Sequence, residues 1–208
     1  MNCTRQWGKS TVAAAKAVHR AWHEPESLVL VASPSSRQSG EFMRKAAAFV
    51  RQLGCRARGD GDNDLSLLLP NGSRIVGLPG TEETVRGFSA VSLLLIDEAS
   101  RVNDVMYYAL RPMLAVKNGD LWLMSTPYGK RGFFWKAWAN GGKLWERMSV
   151  PAAECERISK QFLEDERTAM GEIWFAQEYL CEFVDDGSGW FGMEAVEQAL
   201  ADEEIISI

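Results

Sequence analysis

The sequence predicts an α/β fold in which a mainly parallel sheet carries helices on both faces. Three observations predict it. The runs SLVLVAS (27–33), VSLLLIDEAS (91–100) and GDLWLMSTP (119–127) are short and continuously apolar, as strands buried on both faces must be. Stretches rich in helix formers stand between them, and alternating strands and helices arrange themselves as parallel strands joined by crossovers. Two of the runs, VSLLLIDEAS and GDLWLMSTP, end in pairs of acidic or hydroxyl side chains, at the strand ends where open α/β sheets gather ligands.

The elements follow in order. STVAAAKAVHRAWH predicts a helix over 10–23. SLVLVAS is a short apolar run of buried-strand type, and SRQSGEFMRKAAAFVRQLG predicts a helix from about Gln38 to a stop at Gly54. DLSLLLPNGSRIVGLP places two strand-like runs around Asn71-Gly72, a hairpin signal. VSLLLIDEAS is a buried strand. DVMYYALRPMLAV reads as a helix kinked or broken at Pro112, GDLWLMSTP as a strand, and KRGFFWKAWANGG as a short amphipathic helix. After WERMSVPA come the helical stretches SKQFLEDERTAM, EIWFAQEYLCEF and MEAVEQALA.

Composition narrows the class. With 208 residues, 46% apolar and 25% charged, the chain can bury a substantial core. It has no run of apolar residues approaching membrane-spanning length and no secretory pattern at its start, so the cytosol is the expected compartment. Cys3, Cys55, Cys155 and Cys181 are widely spaced and form no metal-binding pair; they read as reduced thiols. Residues 1–150 hold 20 Lys and Arg against 13 Asp and Glu, whereas the remainder hold 3 against 15. A basic body with an acidic tail fits a polyanionic partner at the body.

The chemistry begins at CTRQWGKST, which has phosphate-loop spacing with Cys3 in place of the usual first glycine. In such a loop, backbone N–H groups and the following helix start cradle phosphates, a lysine meets their charge, and the next hydroxyl ligates magnesium. Gly8, Lys9 and Ser10 fit those roles, with Thr11 beside them. Asp97 and Glu98 close a buried strand some 90 residues later; Asp97 suits the Mg2+ shell and Glu98 the polarisation of an attacking water. Alternatively, DEAS is the acidic cap of a following helix. Ser125, Thr126 and Pro127 end the next strand and put hydroxyls within reach of a γ-phosphate, or form a plain turn.

TRQWGKST, VASPSSRQS, VRGFSAVSLLLIDEAS and LMSTP, in that order, resemble the ATPase domain of the large terminase subunit of tailed bacteriophages and prophages. The resemblance implies a RecA-like P-loop NTPase core acting on ATP with Mg2+. Arg5, Gln6, Trp7, Gly8, Lys9, Ser10 and Thr11 would surround the nucleotide, Ser10 and Asp97 the metal, and Glu98 would be the catalytic carboxylate. Arg5 matches an arginine that touches the phosphates in cis, Arg86 one that acts on a neighbouring subunit's ATP, and Ser125-Thr126-Pro127 the motif coupling hydrolysis to DNA movement. The implied partners are double-stranded DNA, the portal protein, the small terminase subunit and further copies in a ring. The implied place is the host cytoplasm, docked on the procapsid, with no membrane.

The sequence departs from the family pattern at both ends. Only Met1 and Asn2 precede the loop, so the N-terminal strand is expected to be missing and the loop to hang from a free end. A core over 1–150, a helical end over 151–190 and a linker over 191–208 leave no room for a ribonuclease H-type nuclease; Asp185 and Asp186 fall towards that linker. The reading is therefore a fragment of the packaging motor. Its rivals are a helicase-like ATPase, which needs a second RecA-like domain, and a non-catalytic remnant that binds nucleotide, DNA or a terminase partner. His19 and His23 share a helical face but lack a third metal ligand. The aromatics of GFFWKAWANGGKLW read as core on one helix face, with base stacking as the alternative.

Overall fold

A computed structural model of the protein describes residues 1–55, 59, 65–79 and 87–185. Seven strands are defined among the described residues: β1 (Asn2–Cys3), β2 (Leu28–Ser33), β3 (Ser66–Leu68), β4 (Arg74–Pro79), β5 (Val91–Asp97), β6 (Asp120–Met124) and β7 (Ser149–Val150). The helices are α1 (Lys9–His23), α2 (Ser36–Gln52), α3 (Asp104–Leu110), α4 (Gly132–Asn140) and α5 (Lys160–Tyr179). The main sheet runs β3-β4-β2-β5-β6, with β4, β2, β5 and β6 parallel and β3 antiparallel at the edge.

Both faces of the central strands are covered, which is why their sequences are continuously apolar. Val29, Val31, Leu93 and Leu95 point to one side, where the alanine face of α1 (Ala13, Ala14, Ala17, Ala21) and Phe42 and Ala46 of α2 close over them. Leu30, Ala32, Leu94 and Ile96 point to the other, against Met106 and Leu110 of α3 and Phe133 and Phe134 of α4. Each buried Val, Leu, Ile, Phe or Met among these stabilises the fold by about 1.5–3 kcal/mol, and each alanine by less. The small α1 residues let that helix lie close to the strands, so its N-terminus arrives at the strand ends.

Local signals operate as expected, with small shifts. Helix α2 starts at Ser36 rather than near Gln38 because the Ser35 hydroxyl caps it, accepting from Gln38 N. The hairpin forms, with Leu68 opposite Arg74 and a turn closed by Gly72 N donating to Leu69 O. After α3, Arg111–Leu114 tighten into a 3-10 turn at Pro112. Helix α5 is interrupted at Gly171, whose φ of 77° no helix accommodates. SKQFLEDERTAM and EIWFAQEYLCEF are thus two helical halves on either side of it. The helix expected over 193–201 lies outside the described residues.

The N-terminus does not hang free, contrary to the expectation. Cys3 pairs in parallel with Val150, and Asn2 bridges both Ser149 of β7 and Ser125 just beyond β6. Cys3 N donates to Ser125 O at 2.9 Å, Thr4 N to Val150 O at 2.9 Å, and the Met1 ammonium to Leu123 O at 2.6 Å. Two residues of strand suffice because the two flanking backbones offer donors and acceptors that would otherwise be buried without partners. Beside Met1, a groove of about 880 Å3 lies between β6 and residues 144–148, lined by Leu121, Leu123, Phe134, Trp138, Trp145 and Met148.

Candidate functional site

Three strand ends meet at one edge of the sheet. The first leads from β1 through residues 4–8 into α1. Gly8, at φ 104°, occupies the position before the helix, a left-handed conformation that glycine adopts without a steric cost. Helix α1 has no side-chain cap and no acidic residue in its first turn; Thr11 N donates to Gly8 O, and the Lys9 and Ser10 amides and the helix dipole are left for an external anion. Gln6 also has positive φ, 63°, and helps fold the loop back on itself.

The second end is β5. Asp97 is 5% exposed, and its Oδ2 accepts from Ser10 Oγ at 2.9 Å. Burial pushes its carboxyl above the ordinary range; the Ser10 hydrogen bond opposes this, and the charge of Glu98 adds to it. Glu98 follows in a left-handed conformation, φ 51° and ψ 45°, which costs on the order of 1–3 kcal/mol in a residue other than glycine. The turn brings its Oε1 to 3.2 Å from Lys9 Nζ. Lys9, 6% exposed, is thereby held between the two acids and the third strand end.

That third end, beyond β6, is tied to both others. Thr126 Oγ1 accepts from Lys9 Nζ at 3.3 Å and donates to Cys3 O at 3.0 Å. Ser100 Oγ donates to Thr126 O at 2.8 Å and shares a 2.6 Å contact with Ser125 Oγ, which also accepts from Ser100 N. Pro127 is buried behind them. The hydroxyl strand end is therefore bolted to the segment that carries Glu98.

The structure thus brings together Lys9, Ser10, Asp97, Glu98, Ser125 and Thr126. Thr11 is exposed on the first turn of α1, and Trp7 is half-buried in the loop. Arg5 lies at the loop's root with its side chain 58% exposed, paired with Glu178 of α5. Arg86 lies outside the described residues, as does Asp186. Arg157, which sequence reasoning passed over, donates to Gln6 O at 3.2 Å and to Trp7 O, clamping the loop from outside. Ser100 was legible only as part of a cap, and Glu178 as one acid among fifteen in the tail. Neither carries a local signal for a partner that lies far away along the chain.

Other candidates resolve simply. His19 and His23 lie against each other with their rings tilted by 45° and centroids 4.5 Å apart, and no group of three metal-ligating side chains occurs among the described residues. Phe133 and Phe134 are core, while Trp135 and Trp138 pack against Phe183. All four cysteines are free, and no described helix is long and apolar enough to cross a membrane.

The family profile described as terminase large subunit, T4likevirus-type, N-terminal, matches residues 1–198. The chain belongs to the terminase large subunit family. The family places this terminase chain in viral DNA packaging. Its fold is similar to that of the large terminase ATPase domain of Thermus phage P74-26, with a TM-score of 0.77 at 21% identity over 88% of this chain and 87% of that one. The large terminase of a second, thermophilic bacteriophage matches with a TM-score of 0.73 at 15% identity, and that of bacteriophage HK97 with 0.61 at 17%. These cover 88% and 97% of this chain but 47% and 42% of theirs, so the chain spans less than half of either protein. The second phage's terminase is also solved with ADP and with ATP-gamma-S. No curated protein matches the chain.

Proposed function

We propose that this terminase chain binds ATP at the three joined strand ends and hydrolyses it to drive movement of double-stranded DNA into a viral shell. The observation that carries this reading is Lys9: a nearly buried ammonium held between Glu98 and Thr126, one residue before a serine bonded to Asp97. Without a nucleotide these groups neutralise one another; a triphosphate on the α1 N-terminus takes over the lysine's charge and the free N–H groups. Residues 5–11 form the cradle. Released from Lys9, Glu98 is free to orient a water and accept its proton.

Ser10 and Asp97 fit Mg2+, which keeps several waters and needs only one or two protein oxygens beside the phosphates. When bound, it neutralises charge on the transferring phosphoryl group. The bonds from Ser100 to Ser125 and Thr126 support a coupling role for the third strand end, since a shift of Glu98 is felt there directly. Arg5 is proposed to meet the phosphates in cis and Arg86 those of a neighbouring copy. We further propose 1–150 as the ATPase core, 151–190 as its helical end and 191–208 as a linker. Portal protein, small terminase subunit and ring partners are proposed from family membership, as is action in the host cytoplasm at the procapsid.

A MgATP titration followed by phosphate release tests the reading. Saturable binding with steady release, both lost in Lys9→Ala, supports it. Binding without release supports the non-catalytic alternative, and no binding removes both.

A further inference from the structure

Glu178 belongs to no step described above, yet its side chain is only 10% exposed. It sits in the last turn of α5 and meets Arg5 side-on: Arg5 Nε lies 2.5 Å from Oε2, and Nη2 donates to Oε1 at 3.4 Å. Oε2 takes no hydrogen bond among the described residues, so the Arg5 guanidinium is its compensation. Arg101 Nη2 stands 3.9 Å from Oε1 and adds a second positive charge.

The side-on geometry occupies one edge of the guanidinium. The Nη1 edge has no partner among the described residues, and the side chain as a whole is 58% exposed. The backbone holds the same turn in place: Thr4 Oγ1 donates to Glu178 O at 3.0 Å, and Asn2 Nδ2 donates to Cys181 O at 2.7 Å. Gln177 Oε1 accepts from Gly129 N at 3.1 Å, which fastens the turn to the segment after Pro127 as well. A buried carboxylate is thus fixed against the root of the phosphate loop and pairs with the loop's arginine along its Nε–Nη2 edge.

We propose that Glu178 is a positioning residue for Arg5, holding the guanidinium side-on so that its Nη1 edge is presented to the nucleotide phosphates. The inference rests on the ATP-binding reading above. A free arginine side chain samples many rotamers; an anchor that settles it beforehand removes the cost of ordering it from the transition state. Losing the anchor leaves the positive charge near the phosphates but not its direction, so binding changes little while turnover falls.

The test uses the whole chain with Glu178→Gln, Glu178→Asp, Arg5→Ala and the double variant Arg5→Ala/Glu178→Gln. Glu178→Gln is expected to lower kcat about tenfold with KM within about twofold, and Glu178→Asp, which keeps the charge, to recover part of the loss. The double variant should be no slower than Arg5→Ala, because the two residues act as one unit. A purely structural role would instead make the losses multiply, and that result overturns the proposal, as does unchanged kcat in Glu178→Gln. Independently of turnover and of how the variants fold, the Arg5 guanidinium in the 15N-labelled, nucleotide-free parent should rotate slowly about its Nε–Cζ bond, as a group held by a carboxylate does. Free rotation overturns the proposal. A parent that binds no nucleotide overturns the ATPase reading and this inference together. A parent that turns over ATP while the losses multiply overturns this inference alone.

Discussion

Lys9→Met separates what Lys9 does for the fold from what it does for the nucleotide. Methionine keeps most of the length and apolar stem, so the substitution removes a charge from a nearly buried site without leaving a large void. What remains is Glu98, which has lost its partner at 3.2 Å, beside Asp97, which burial already holds above the usual carboxylate range. The Lys9 and Glu98 side chains are 8% and 25% exposed, so the pair lies between an exposed ion pair, worth about 0–1 kcal/mol, and a buried one, worth about 3–5 when broken. A loss of about 2 kcal/mol at pH 7 follows, or roughly 4–8 °C in Tm for a chain of this size.

The loss depends on pH, and its sign can be worked out. Lys9 lowers the Asp97 pKa, so its removal raises a folded-state pKa that is already above the unfolded value. A raised carboxyl pKa disfavours the folded state where the group is ionised, and the cost disappears as pH falls below the folded pKa. Urea titrations of parent and Lys9→Met at pH 7 and again near the ordinary carboxylate range should therefore converge at the lower pH. The variant should also fail to bind MgATP at either pH. A stability deficit of equal size at both pH values, or none at either, would show that Lys9 does not balance these acids; retained MgATP affinity would remove it from the cradle.

Glu98→Gln should bind nucleotide and lose turnover by a factor on the order of 10² to 10⁴, since an amide is a very poor base; phosphate release equal to the parent's places the base elsewhere. Asp97→Asn should melt at or above the parent's Tm at pH 7, because it removes a charge whose burial raises its pKa, while Mg2+ no longer strengthens nucleotide binding. A lower Tm together with intact Mg2+ dependence refutes that prediction. Extending the chain ahead of Met1 by four or five residues of alternating apolar strand sequence should fill the groove between β6 and residues 144–148. It should raise Tm, protect the amides of 120–123 and 145–148 from exchange, and speed phosphate release; equal Tm, exchange and turnover in the two chains would mean that β1 already closes the sheet.

Much of the fold was legible because its signals are local. Continuous apolar runs specify strands buried on both faces, the alanine-rich stretch after Gly8 specifies a helix that packs closely, and Pro112 marks a break through its own backbone chemistry. Lys9, Ser10, Asp97, Glu98 and the 125–127 hydroxyl end were legible for a related reason: parallel strands all present their C-terminal ends at one edge, so residues at those ends converge whatever lies between them. Tertiary structure alone decided the rest. The grip of Glu178 on Arg5, the clamp of Arg157 on the loop carbonyls and the bolt from Ser100 to Ser125 and Thr126 join segments whose sequences carry no sign of one another. The fate of the N-terminus was decided the same way. Read along the chain, Met1 to Thr4 are a loose end; in the folded protein they meet two flanking backbones with unmet hydrogen bonds, and the cost of leaving buried polar groups unpaired turns a loose end into a strand.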